Sequence, residues 1–187
     1  MRILLTGGAG YIGSHTALEL LNAGYEVVVV DNLVNSKEES LKRVQELTGK
    51  ELTFHQIDIL DTEELKKVFA LAAIDAVIHF AALKAVPESV SDPLRYYYNN
   101  VTGTLQLCEV MREYGVKNMV FSSSATVYGE NETMPLLEDF PLLPAINPYG
   151  RSKQMMEDVL RDLYVSDHDW NIALLRYFNP IGAHESG

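Results

Sequence analysis

The chain has 187 residues, 47% of them hydrophobic, which is enough to bury a core and close to the usual size of one domain. Its formal net charge of -11 argues against a broad nucleic-acid footprint or adhesion to an anionic membrane, since both need clustered Lys and Arg. No window is apolar enough to span a bilayer, no charged leader precedes the first apolar run, and one cysteine, Cys108, allows no internal disulfide; the expectation is a cytoplasmic enzyme or binding protein of one domain.

Short β-rich runs alternate with longer amphipathic ones. "RILLT" predicts a first strand, residues 11–23 a first helix, "EVVVV" a second strand, and "SKEESLKRVQELTG" a polar helix whose mixed charges suit a solvated surface. "LTFHQID" predicts a third strand, "TEELKKVFALA" a helix and "AVIHFA" a fourth strand. A long helix then begins after Pro87 or Pro93, followed by "NMVFSSS" as a fifth strand, a helix carrying Tyr149, and "IALLRYF" as a sixth strand. Strands that are apolar throughout predict a parallel sheet covered on both faces, an α/β doubly wound fold of Rossmann type. Residues 129–148 contain four prolines and read as a loop near the carboxyl ends of the strands, where open α/β sheets hold ligands. With the chain stopping soon after the sixth strand, all of it is expected to be one nucleotide-binding domain. "YYY" at 96–98 and the Met155-Met156 pair are expected to meet a core or a partner subunit, and Trp170 to pack near a loop.

"TGGAGYIG" follows the first strand and opens the first helix, the context in which spaced glycines carry meaning. Gly7 would permit the tight turn, Gly10 the approach of a pyrophosphate, and Gly13 close packing of helix on strand, while free N–H groups at the helix start meet the phosphates. Asp31 ends the second strand, where a carboxylate accepts hydrogen bonds from a ribose and repels a 2′-phosphate, so NAD is expected over NADP. Asp58 closes the third strand as a strand-end cap or a residue facing the adenine. In "NPYGRSK" Tyr149 and Lys153 are four apart on one helix face, roughly 6 Å from each other. A fixed cation beside a phenol makes its proton easier to remove. The five histidines show no metal-ligand spacing, so no metal is expected, and His79 at a strand end reads as a packed side chain.

Together "TGGAGYIGSH", "DNL", "HFAALKAVPESV", "NNVTGT", "FSSSATVYG", "NPYGRSK" and "LLRYFNPIGAH" resemble the extended short-chain dehydrogenase/reductase family, in its nucleotide-sugar epimerase branch, over essentially the whole chain. The resemblance implies bound NAD and interconversion of UDP-glucose and UDP-galactose by oxidation to a 4-keto sugar and re-reduction on the opposite face. It implies that Gly7, Gly10, Tyr11, Ile12, Gly13, Asp31, Asn32, Leu33, Asn35, Ser36, Asp58, Ile59, Phe80, Ala81, Ala82, Lys84, Asn99, Ser122, Tyr149, Lys153, Tyr177 and Phe178 line the cofactor. Lys84, Ser124, Tyr149 and Asn179 would meet the UDP-sugar, with Tyr149, Lys153 and Ser124 as the catalytic group. Dehydratases of this kind resemble S-T-D-E-V-Y-G where this chain has Ala125 and Thr126, which disfavours dehydration. The family pattern continues past Gly187 into a smaller substrate domain, so this chain alone is expected to bind NAD but to convert UDP-sugars poorly. Related enzymes pair the helix after Pro93 and the Tyr149 helix into a four-helix bundle, which implies a homodimer. An epimerase of another UDP-sugar and a catalytically silent NAD-binding module remain the alternative readings.

Overall fold

The computed structural model describes residues 1–130 and 134–186 of the chain. Six strands form one sheet: β1 (Arg2–Thr6), β2 (Glu26–Val30), β3 (Thr53–His55), β4 (Ala76–His79), β5 (Asn118–Ser124) and β6 (Asn171–Tyr177). Every pairing is parallel, in the order β3-β2-β1-β4-β5-β6, as expected of a doubly wound Rossmann-type sheet. Helices α1 (Tyr11–Asn22) and α2 (Glu39–Thr48) link the first three strands, and α3 (Thr62–Leu71) crosses back to β4. The strand order therefore reverses between β1 and β4, which leaves a crevice at their carboxyl ends. Three segments, α4 (Val86–Ser91), α5 (Pro93–Tyr97) and α6 (Gly103–Glu113), lead to β5, and α7 (Pro148–Ser166) leads to β6.

The two faces of the sheet are packed by alternate residues of the same strands. Ile3, Leu5, Val27 and Val29 meet Ala17, Leu18 and Leu21 of α1 and Leu41 and Val44 of α2. Leu4, Val28, Val77 and Phe121 meet Leu65 and Val68 of α3, Leu107 and Met111 of α6, and Met156 and Leu160 of α7. Each fully buried Leu or Met contributes on the order of 1.5–3 kcal/mol, so the central strands are apolar because both faces are covered. Strand β6 departs from this pattern: its residues alternate in exposure and Leu175 is 43% exposed. An apolar groove of about 830 Å³ lies beside it, bordered by Ile78, Val120 and Ala173.

Several elements differ from their sequence reading. The helix expected after Pro87 or Pro93 starts at both, because each proline occupies a first-turn position and Asp92 ends α4 while its side chain accepts from Arg95 N at 3.3 Å to start α5. The backbone then widens into a π-helical turn, Tyr98–Thr102, before α6. This splits the tyrosine run: Tyr96 is buried and bonds the Glu88 carboxylate at 2.7 Å, while Tyr98 is 62% exposed. Met156 likewise enters the core and Met155 stays at the surface, and Trp170 is buried in the core itself. Helix α2 is not wholly solvated, since Leu41 and Val44 pack on α1. The expected loop 129–148 is irregular up to Pro148 where described; its residues 131–133 lie outside the described residues.

Candidate functional site

The glycine turn sits in the crevice for steric reasons. Gly7 has φ +69, and a Cβ there would meet Ala81 N, beyond the end of β4, at 2.6 Å; Gly7 N donates to Val30 O at 2.7 Å. A Cβ on Gly13 would stand 2.5 Å from Gly7 O and 2.7 Å from Gly8 Cα, so the third glycine lets the start of α1 close onto the turn. Gly10 caps α1 without a side-chain bond, leaving first-turn N–H groups available to an anion. Asp31 is held in place by Ala9 N at 3.0 Å, Leu33 N at 2.9 Å and the Ser36 hydroxyl at 2.8 Å. Three of about four acceptor positions on the carboxylate are thereby used, and one remains for a ligand hydroxyl.

Helix α7 starts where the sequence dictates: Asn147 accepts from Gly150 N at 2.8 Å and Pro148 follows at the first position. Tyr149 thus falls in the first turn and Lys153 one turn on. Gly150 lies close against Thr126, where an added Cβ would come within 3.1 Å. The Lys153 ammonium is buried, donates to Ser122 O at 2.7 Å and stands 4.8 Å from the centre of the Phe121 ring. Burial lowers its pKa to about 8, against the opposing pull of Glu157. The phenol of Tyr149 behaves otherwise than the i, i+4 spacing suggests. Burial raises its pKa, and only contact with Ser124 opposes the rise, because the ammonium is turned to a backbone carbonyl. Ser124 Oγ accepts from Thr126 N at 3.2 Å and from Thr126 Oγ1 at 2.9 Å, which leaves its own proton free to donate.

A cleft of about 390 Å³ collects these groups. Its walls include Gly7, Gly10, Tyr11, Ile12, Gly13, Asp31, Asn32, Asn35, Ser36, Ile59, Phe80, Ala81, Ala82, Lys84, Asn99, Ser122, Ser124, Tyr149, Lys153, Tyr177, Phe178 and Asn179. Two expected residues are not on its wall. Leu33, at φ 61, packs against the core cluster under α1, and the Asp58 carboxylate is engaged by Asn32 Nδ2 at 2.8 Å and Leu60 N at 2.9 Å. The sequence reading missed Val30, Val34, Ile57, Leu83, Val86, Ser123, Thr126 and Pro180 on the wall. Thr126 was within sight, two residues beyond Ser124; the apolar ones carry no local signal.

Beneath the cleft, buried polar groups are paired across elements. His79 Nε2 lies 2.9 Å from Thr104 Oγ1, whose hydroxyl donates to Asn100 O at 2.7 Å. The imidazole must therefore donate from Nε2 and accept from Thr6 Oγ1 at Nδ1, 2.6 Å away. Burial, then the nearby Lys153 charge, lowers its pKa to about 3, so it stays neutral. Asn100, inside the π turn, bonds both the N–H and the carbonyl of Leu83, at 2.8 and 2.9 Å, and reaches Ser152 at 3.2 Å. One amide thus ties the 81–84 wall of the cleft to the helix of Tyr149. Among the described residues no group of three or more His, Cys, Asp or Glu could hold a metal.

A parallel sheet with this strand order, a glycine turn at its reversal point and a Tyr-Lys pair across the crevice define a dinucleotide-binding domain of Rossmann type. Residues 3–187 match the NAD dependent epimerase/dehydratase family, and the chain belongs to that family. It is 65% identical over 187 residues to UDP-glucose 4-epimerase of Bacillus subtilis, covering 100% of this chain and 55% of that protein. It is 58% identical over 186 residues to UDP-glucose 4-epimerase of Dictyostelium discoideum, covering 100% of this chain and 54% of that one. The crystal structure of UDP-glucose 4-epimerase from Bifidobacterium longum in complex with NAD+ and UDP superposes with a TM-score of 0.98 at 52% identity, covering 100% of this chain and 56% of that one. The chain thus spans about half the length of the relatives it matches.

Proposed function

We propose that this chain is the NAD-binding part of a UDP-glucose 4-epimerase, which interconverts UDP-glucose and UDP-galactose. The observation that carries the reading is the meeting of Tyr149, Lys153 and Ser124 with the glycine turn in one cleft. The cradle suits a dinucleotide: a Cβ at Gly7 would strike the backbone of Ala81 and one at Gly13 the backbone of Gly7 and Gly8, so the tight turn that shapes the cradle needs both glycines, and the acidic chain needs no basic residue there because helix N–H groups are available to the phosphates. When bound, NAD supplies a hydride acceptor that can return the hydride to either face of a planar ketone.

The chain's own residues handle the proton and the geometry. Tyr149 takes the proton of the sugar hydroxyl and later returns it, work that a half-buried phenol of raised pKa performs only with positive charge beside it. Lys153, fixed on the Ser122 carbonyl, holds the cofactor ribose; to supply part of that charge its ammonium has to turn from this carbonyl toward the phenol. Ser124, its lone pairs taken by Thr126, donates to the same sugar oxygen and steadies charge developing there. Ala125 and Thr126 provide no second acid or base, which favours epimerisation over dehydration. Asp31 selects NAD.

Leu94, 80% exposed, and Tyr98, 62% exposed, border an apolar groove of about 620 Å³ that reaches Met155 of α7. This face supports a homodimer through α5, α6 and α7, since apolar surface of this kind is seldom left bare; a monomer mass by light scattering at micromolar concentration would refute it. The lone buried Cys108 fits a reducing, cytoplasmic setting.

The test is to load a chain of its relatives' full length with NAD and add UDP-galactose, since this chain spans about half of that length. A rise at the NADH absorption band supports the oxidation step; NAD binding with no change for any UDP-sugar favours a silent binding module, and no NAD binding overturns the reading.

A further inference from the structure

The Glu157 side chain is completely buried and takes no part in the chemistry above. Its carboxylate accepts four bonds: from Ser123 Oγ at 2.6 Å and Arg176 Nε at 3.0 Å on one oxygen, and from Arg176 Nη2 at 2.8 Å and Arg161 Nη2 at 2.7 Å on the other. Burial alone would push this carboxyl up, but the bonds from Arg176, Ser123 and Arg161 more than offset it and hold the group below the usual carboxylate range. It is therefore a permanent buried anion, an arrangement tolerated only where every lone pair is met.

Its partners are the neighbours of the reacting groups. On α7, Lys153 and Glu157 are one turn apart and grip two consecutive residues of β5: Lys153 the carbonyl of Ser122, Glu157 the hydroxyl of Ser123. The next residue is Ser124. Arg176, held in bidentate fashion, immediately precedes the Tyr177, Phe178 and Asn179 wall of the cleft and also donates to the Tyr128 hydroxyl at 3.0 Å. Around Lys153 lie the Ser122 carbonyl and the Phe121 ring from β5, the neutral His79 from β4, and Tyr149 and Glu157 from α7. Glu157 is the carboxylate among the described residues whose charge acts on it.

We propose that Glu157 is a positioning residue of this site: one carboxylate, a turn below Lys153, fixes the ends of β5 and β6 against α7 and keeps the Lys153 ammonium charged where it lies. This rests on the assignment of Lys153 to the cofactor. A carboxylate that served only to glue three elements together would affect folding but not the titration of Lys153.

The experiment follows the lysine side chains of the isotopically labelled chain by NMR as a function of pH. In the unaltered protein Lys153 titrates near 8. Glu157→Gln keeps the shape and removes the charge, and Lys153 should then titrate at least about one pH unit lower, a tenfold loss of proton affinity. Arg161→Gln removes a cation from the same carboxylate and should move Lys153 upward. Arg161 is 44% exposed, so this second variant decides the matter even where Glu157→Gln fails to fold. A folded Glu157→Gln chain with Lys153 unmoved, or an Arg161→Gln chain with Lys153 unmoved or lowered, overturns the proposal. NAD affinity of the same proteins separates the inference from the reading beneath it: a lowered Lys153 titration with unchanged NAD binding upholds Glu157 and removes Lys153 from the cofactor.

Discussion

Replacing Gly13 by alanine sets two opposed effects against each other. Gly13 lies inside α1, where alanine is favoured over glycine by roughly 1 kcal/mol. The added Cβ, however, would lie 2.5 Å from Gly7 O and 2.7 Å from Gly8 Cα, both backbone atoms that no rotamer change can remove. Restoring an ordinary contact of 3.4 Å requires the start of α1 to move outward by about 0.9 Å, and overpacking of this kind costs typically 1–3 kcal/mol. The net is a loss of about 1 kcal/mol, or roughly 2–4 °C in Tm for a chain of this size. The first-turn N–H groups proposed to meet the phosphates move with the helix, so NAD affinity should fall at least about tenfold, equivalent to ~1.4 kcal/mol. Thermal melts of nucleotide-free protein and calorimetric titration with NAD measure the two effects separately. A raised Tm together with unchanged NAD affinity would show that helix propensity wins and that the close approach is not needed.

In a chain of its relatives' full length, Tyr149→Phe should cost about 10²–10⁴-fold in the proposed epimerase turnover with NAD still bound; normal turnover in a coupled UDP-galactose assay would remove Tyr149 from its proposed role. Asp31 should make NAD bind more tightly than NADP in nucleotide-free protein, and equal affinities would refute the role of its carboxylate. Lys153 titrates near 8 in the folded chain against 10.5 ordinarily, so between those values the unfolded chain holds a proton that the folded chain does not. Stability from this group therefore rises with pH across that window by up to about 3 kcal/mol. The stability difference between Lys153→Met and the unaltered chain should shift by that amount between pH 8 and 10.5 in denaturant titrations, and a pH-independent difference would refute the burial effect.

The fold was legible because its signals are local. Apolar runs such as "EVVVV", the glycine spacing at 7, 10 and 13, and Asn147-Pro148 ahead of Tyr149 each specify backbone within a few residues. What stayed hidden depends on partners distant along the chain. Arg176 stands out as a charge in an apolar strand, yet nothing local assigns it to Glu157, nineteen residues earlier. The Tyr149 phenol was read from its i+4 neighbour, but the orientation of Lys153 is decided by Ser122, thirty-one residues away. Leu33 and Asp58 lie beside cleft residues in sequence but not on its wall: Leu33, at positive φ, packs into the core under α1, and the Asp58 carboxylate is engaged by Asn32 and by Leu60 N.

The π-helical turn at Tyr98–Thr102 behaves as though one residue too many had been threaded into an otherwise ordinary helix. Deleting a single residue there would let the backbone relax into plain α-helix, so circular dichroism would register little. Yet each residue of an α-helix advances the winding by about 100°, and the shortened helix could not keep both of its halves in phase. Were α6 to stay seated on the sheet through Leu107 and Met111, Tyr96 would swing off Glu88 and Asn99 off the cleft wall; were α5 to stay, the core contacts of α6 would be lost. The extra residue thus acts as a phase adjuster, and a reading-frame-neutral deletion that looks harmless in secondary structure would disconnect the apolar face around Leu94 and Tyr98 from the cleft.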